Sequence, residues 1–178
     1  LLKPDFAEAH SNMGIILKEK GNLEEAKAAY NKAISIKPDY AVAYYNMGNL
    51  LRDQSMLREA LKFYKRALYL KPDYALAHNN IGVVLREIGN LEAAVDSYKK
   101  AISLKPNFAK AYNNMGFALQ QQGRLEAIEA YNKALSIKPD YAEVYNNNVY
   151  FRNLRANLNK ANVGWNNLLE KNTGWGEG

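Results

Sequence analysis

The sequence predicts an all-α fold, a solenoid of stacked antiparallel helix pairs, and three observations carry that prediction. Landmarks recur every 34 residues: Gly82, Gly89, Ala94, Tyr98, Ala101 and Pro106 restate Gly48, Ser55, Ala60, Tyr64, Ala67 and Pro72, and before them Gly14, Gly21, Ala26, Tyr30, Ala33 and Pro38. A fixed period of this length marks an array of supersecondary units, none of which buries its apolar face alone. Within Ala75–Phe108, His78, Ile81, Gly82 and Leu85 fall at i, i+3, i+4 and i+7, and Leu91, Ala94, Val95, Tyr98, Ala101 and Ile102 make a second stripe. Both stripes have helical spacing. Punctuation separates them: Gly89 supplies a left-handed stop, Asn90 a cap for the second helix, and Pro106 prevents its continuation.

The chain opens on Leu2-Lys3-Pro4-Asp5-Phe6, the phrase that closes later units as Ile36-Lys37-Pro38-Asp39-Tyr40 and Leu70-Lys71-Pro72-Asp73-Tyr74. Residues 1–6 therefore read as the tail of a preceding, truncated unit, and the chain as a fragment of a longer array. Four units follow, at 7–40, 41–74, 75–108 and 109–141. The fourth is one residue short. Gly14–Tyr30, Gly48–Tyr64 and Gly82–Tyr98 each span 16 positions and Gly116–Tyr131 spans 15, the loss falling around Arg124–Ala127. A deletion inside a helix rotates everything after it by about 100°. Because Ala127, Tyr131 and Ala134 keep their mutual spacing, either the turn absorbs the loss or the sequence lacks a residue. Beyond Tyr141 the pattern decays: Val149 replaces the helix-packing Gly and Arg152 stands at a core position, although Leu158, Ala161 and Trp165 match second-helix landmarks. Residues 142–170 read as a degenerate fifth helix pair or capping helices, as terminal repeats tend to be, and 171–178 as a frayed tail.

Composition narrows the function classes. The 178 residues include no cysteine, so there is no disulfide framework and no thiolate metal site, which fits a reducing compartment such as the cytoplasm. No apolar run approaches the roughly 20 residues of a membrane span. His10 and His78 share one core-facing repeat position, filled elsewhere by Tyr44 and Tyr112, which makes them packing residues rather than ligands. No phosphate loop, nucleophile motif or metal-spaced cluster appears, so neither a catalytic site nor a cofactor is expected.

The landmarks resemble the tetratricopeptide repeat over residues 7–141: a bulky residue, Gly, a turn Gly, then Ala, aromatic, Ala and Pro at that family's spacing. The resemblance implies a right-handed superhelix whose first helices line a concave face that holds an extended peptide or a partner's helix. The sixth residue of each unit on that helix is Asn12, Asn46, Asn80, Asn114 and, past the short unit, Asn147. A carboxamide both donates and accepts, so such a ladder could clamp a peptide's main chain without reading its side chains. It resembles the ladder in the superhelical arm of O-linked N-acetylglucosamine transferases. The plain alternative is that copied repeats copy their residues. Against that, the fifth position has drifted through Ser11, Tyr45, Asn79 and Asn113, and the ninth through Ile15, Asn49, Val83 and Phe117. The expected peptide-binding set is the five asparagines with Asn49, Asn79 and Asn113 beside them and Arg52 and Arg86 flanking. At roughly 0.5–1.5 kcal/mol per hydrogen bond, the ladder alone supports micromolar or weaker binding.

Three other readings stay open. The array could be the substrate-recognition arm of a larger glycosyltransferase-type enzyme rather than a free-standing, non-catalytic scaffold. It could associate end to end with another copy. The net charge of +6 raises nucleic acid, but the basic positions, Lys32, Arg66, Lys100 and Lys133 among them, fall on second helices and are interleaved with acids. The carboxylate clamp some family members use for chaperone C-termini needs Lys and Asn at the fifth and ninth positions of one unit. Ser11 and Ile15, then Tyr45 and Asn49, do not supply that pair.

Overall fold

The computed structural model describes residues 7–173, with the side chains of residue 161 and of 164–173 not described. Among the described residues there are nine helices and no strand: α1 (Ala7–Glu19), α2 (Leu23–Ile36), α3 (Ala41–Asp53), α4 (Leu57–Leu70), α5 (Ala75–Glu87), α6 (Leu91–Leu104), α7 (Ala109–Gln121), α8 (Glu126–Ile137) and α9 (Ala142–Thr173). The tail expected at residues 1–6, and the part of the frayed tail at 174–178, lie outside the described residues.

Each odd-numbered helix packs on the even-numbered helix that follows it, and each even helix on the next odd one. Successive odd helices also touch, whereas even helices do not contact each other. The array therefore curves, with α1, α3, α5, α7 and the start of α9 forming the inner layer.

One notch makes every pair. The ring of Tyr30, Tyr64, Tyr98 or Tyr131 is at most 1% exposed, and it lies against Gly14, Gly48, Gly82 or Gly116. A β-carbon on those glycines would come within 2.5, 2.6, 2.5 and 2.7 Å of the ring, closer than any real contact. Gly21, Gly89 and Gly123 turn the chain at φ of +82°, +84° and +70°, and Ser55 adopts the same left-handed state at +61°. Asn90 caps α6 as its position suggests, accepting from the Ala93 N–H at 3.3 Å.

The turn absorbs the residue missing from the fourth unit. Helix α8 has 12 residues where α2, α4 and α6 have 14, and Ala127, Tyr131 and Ala134 remain fully buried. Leu125 gives up its place: its counterparts Leu23, Leu57 and Leu91 are half-buried, while Leu125 is 53% exposed. Beside it opens a cavity of about 440 Å³, floored by Tyr112, Met115 and Leu119 and rimmed by Lys99, Arg124, Lys133, Glu126 and Glu129.

The fifth helix pair expected over 142–170 does not form. The chain runs as one helix of 32 residues, α9. Its opening turns bury Val144, Asn148 and Phe151 as a first helix would. Two substitutions then forbid the fold-back. Val149 fills the notch that a second-helix tyrosine needs, and Ala156 stands where earlier units carry the left-handed Gly or Ser. Without a residue suited to positive φ the helix simply continues. Leu158 is 47% exposed, and the side chains of Ala161 and Trp165 lie outside the described set.

In α3 and α5 the residue at the repeat position of Tyr44 and His78 also ties units together. The Tyr44 hydroxyl donates to the Pro38 carbonyl at 3.1 Å, and His78 Nε2 meets the Pro72 carbonyl at the same distance. Burial holds the His78 imidazole below its ordinary pKa, the Pro72 carbonyl opposing and Lys100 reinforcing the shift. The folded state thus takes up the proton less readily than the unfolded chain. The neutral ring's contribution is complete above the unfolded value of about 6.5 and is lost as the pH falls through the folded one. His78→Tyr keeps the hydrogen bond and removes the titration. Its thermal midpoint is expected to fall less than the wild type's between about pH 6.5 and 5. Equal falls would show that His78 carries no proton linkage.

Candidate functional site on the inner face

The ten residues expected to face a peptide are not equivalent. Asn12 is exposed and makes no hydrogen bond among the described residues. Asn46 and Asn80 are only 8% and 7% exposed, because their amide groups hold neighbouring helices together. Asn46 Nδ2 donates to Ser11 Oγ at 3.0 Å, Asn80 Nδ2 to the Tyr45 hydroxyl at 3.1 Å, and Asn114 Nδ2 to Asn79 Oδ1 at 3.0 Å. Each rung runs from the sixth residue of one unit to the fifth residue of the unit before.

This corrects the picture of five free carboxamides. One N–H of Asn46 and of Asn114, and both of Asn80, are committed, since an amide donor leaving water must find an acceptor. The drift at the fifth position now has a reason: hydroxyl and carboxamide differ in shape, but Ser11, Tyr45 and Asn79 all offer an oxygen. That shared acceptor was the signal in the sequence for Ser11 and Tyr45, which the expected set omits.

The rungs join a larger network. Asn49 Oδ1 accepts from the Tyr64 hydroxyl and from Asn80, each at 2.8 Å. Asn79, buried to 2% exposure, donates to Asn80 Oδ1 at 3.0 Å. Tyr64, Asn49, Asn80, Asn79 and Asn114 thus form one chain of hydrogen bonds across three units. Its members are structural first.

The flanking arginines differ as well. Arg52 donates to the adjacent Asp53 at 2.8 Å, and Lys18 reaches the same carboxylate from the unit before. Burial by itself would raise the Asp53 carboxyl, but hydrogen bonds from Lys18 and Arg52 hold it below its ordinary range. Among the described residues Arg86 makes no such pair. Its guanidinium sits 4.9 Å above the Phe117 ring and its Nε is buried without a partner. The next unit offers Gln121 where Lys18 finds Asp53. The Tyr98 hydroxyl nearby is also unpartnered, and burial pushes its pKa up to about 12, with Arg86 opposing.

Two cavities open between the inner helices. One, about 170 Å³, is lined by Ile15, Lys18, Glu19, Tyr30, Asn46 and Asn49. The other, about 230 Å³, is lined by Arg86, Asn113, Asn114, Phe117, Glu143 and Asn147. They bring together Asn46 with Asn49, and Asn114 with Asn113, Asn147 and Arg86. Asn12, Asn79, Asn80 and Arg52 line neither. Glu143 and Phe117 were not in the expected set, and nothing in the repeat pattern marks Glu143.

With repeat, notch and curved inner layer in place, family comparison agrees. The TPR repeat profile matches residues 16–55 and 84–123, and the tetratricopeptide repeat profile matches 41–74 and 109–141. The chain belongs to the tetratricopeptide-repeat family. A comparison of its sequence with curated proteins finds no match. Among solved structures it is similar to a crystal structure of MamA, at 29% identity and TM-score 0.70, covering 79% of this chain and 83% of that one. MamA from Desulfovibrio magneticus RS-1 superposes with TM-score 0.77 at 20% identity, over 99% of this chain and 100% of that one. The Pseudomonas aeruginosa pilF structure gives 0.79 at 23%, over 85% and 69%. The last two likenesses are of fold alone.

Tetratricopeptide repeats make this chain a protein-interaction scaffold. Among the described residues no helix is long and apolar enough to cross a membrane, and no group of three or more His, Asp or Glu side chains could hold a metal ion.

Proposed function

We propose that the inner face binds an extended segment of a partner protein. One observation supports the reading: Asn46 and Asn114 each have one amide N–H held by a rung, which orients the carboxamide, yet both line inner-face cavities. Their carbonyl oxygens receive no hydrogen bond among the described residues, which leaves oriented acceptors for main-chain N–H groups. The rungs that stiffen the array also pre-organise those acceptors, and this lowers the ordering cost on the scaffold's side of binding.

Peptides of unstructured sequence, selected from a display library on the wild type, provide the test. Ile15→Arg with Asn147→Arg obstructs both cavities at side chains that are not buried, and is expected to weaken the selected peptides at least about tenfold in fluorescence anisotropy, a change of about 1.4 kcal/mol. Lys32→Ala with Lys100→Ala, on exposed positions of even helices, is expected to leave affinity unchanged. The opposite pattern would move the binding face to the outer layer.

A further inference from the structure

Three rungs obey one rule and the fourth breaks it. Asn46, Asn80 and Asn114 each reach back to an acceptor on the fifth residue of the preceding unit, at 3.0–3.1 Å. The next rung would join Asn147 to Asn113 Oδ1, and it is not made. Asn113 instead turns its amide N–H toward Glu143 Oε1, at 3.3 Å. The carboxylate decides which way round the amide sits, because the reverse would set two oxygens face to face. Asn113 Oδ1 is thereby left buried with no donor, in a side chain only 4% exposed. Such an acceptor is rare in a folded protein and calls for a partner.

Asn113 itself lines the cavity of about 230 Å³ in which Arg86, Phe117, Glu143 and Asn147 also take part. The chemistry of this wall selects its guest. Asn113 Oδ1 requires a donor, while Asn147 Nδ2 and the Arg86 guanidinium can supply donors to an acceptor. A carboxylate has no hydrogen to give and would face Glu143. An ammonium has no acceptor and would face Arg86. A carboxamide carries both halves, and it is the group that occupies the same acceptor position at the rung between Asn114 and Asn79. The Phe117 ring, already stacked under Arg86, adds a flat surface suited to a planar amide.

We propose that this cavity, between α5, α7 and α9, is a carboxamide-recognition site. The guest's N–H donates to Asn113 Oδ1, and its C=O accepts from Asn147 or Arg86. The group can come from a glutamine or asparagine side chain or from a peptide bond. The inference rests on the inner face being the partner-binding face, and it adds specificity at one place on that face.

Three blocked amino acids titrated into isotope-labelled protein separate these sources: N-acetylglutamine methylamide, its glutamate analogue and its alanine analogue, followed through the side-chain amide resonances of Asn113 and Asn147. The glutamine probe is expected to move both resonances, with a dissociation constant at least about fivefold below that of the glutamate probe. Weaker binding by the alanine probe assigns the guest to a side chain, and equal binding by the alanine and glutamine probes assigns it to the main chain. Both outcomes support the site. Asn113→Leu removes the acceptor at similar volume and is expected to abolish the response. Glu143→Ala alters only an exposed residue. It frees Asn113 to complete a fourth rung with Asn147, and should abolish the response even if Asn113→Leu folds poorly. No movement of either resonance by any probe overturns the proposal, as does a glutamate probe that binds as tightly as the glutamine probe while the alanine probe binds more weakly. If Asn113→Leu binds the library-selected peptides as tightly as wild type while Ile15→Arg with Asn147→Arg does not, the carboxamide site falls and the groove stands.

Discussion

Asn80→Ala is expected to cost about 2–4 kcal/mol of folding stability, far more than a polar residue on a ligand-binding face would. The side chain donates to Tyr45 and Asn49 and accepts from Asn79. Truncation leaves the buried Asn79 amide without its acceptor and opens the network at its hub. Each buried polar group left unpaired costs about 1–3 kcal/mol, which exceeds the roughly 1 kcal/mol net value of a hydrogen bond. Asn12→Ala, at the same repeat position but exposed and without a hydrogen bond among the described residues, is expected to change stability by less than about 0.5 kcal/mol. Urea denaturation of the two variants measures the contrast. If both lie within about 0.5 kcal/mol of wild type, the rungs contribute nothing to the stacking of the units.

The second large effect is expected at the notch. Gly82→Val sets a β-carbon 2.5 Å from Tyr98 Cε1 and 2.7 Å from its Cδ1, and two γ-carbons make the overlap worse. Overpacking a filled interior costs about 1–3 kcal/mol or more. Helix propensity does not rescue it, since valine gains only a few tenths of a kcal/mol over glycine. A loss of about 3 kcal/mol is therefore expected. In a Tyr98→Ala background the same substitution should cost under about 1 kcal/mol, because the ring it strikes is gone. An undiminished penalty there would show that the ring is not what the glycine accommodates. The chain already carries this experiment at Val149, where no second helix folds back and α9 runs on.

The comparison of Gly82 with Val149 shows how much could be read before any coordinates. Gly82, Tyr98 and Gly89 act within one unit, over a few turns of chain, so their spacing alone implies two helices, a notch and a left-handed turn. Val149 departs from that spacing in the sequence, but only the structure shows that, with Ala156 at the turn position, the chain runs on as one helix. The second-helix spacing of Leu158, Ala161 and Trp165 suggested one because an amphipathic stripe survives whether or not its helix is preceded by a turn. The short fourth unit left two outcomes open, since Ala127, Tyr131 and Ala134 agree with either. In the chain as it stands, the exposed Leu125 shows where the turn takes up the difference.

The asparagines mark the boundary. Their recurrence and their place on the inner helices were determined by sequence alone, because a period of 34 residues carries each one to the same angle on the same helix. Which atoms of those side chains are free was decided only by the tertiary structure. A carboxamide has two faces of opposite character, and the one left for a partner depends on what the neighbouring unit offers about 35 positions away: an oxygen at Ser11, Tyr45 and Asn79, but a carboxylate intruding at Asn113. Periodicity fixes where a residue stands. Hydrogen bonding between units is a competition among several donors and acceptors, and it is settled only when all of them are in place.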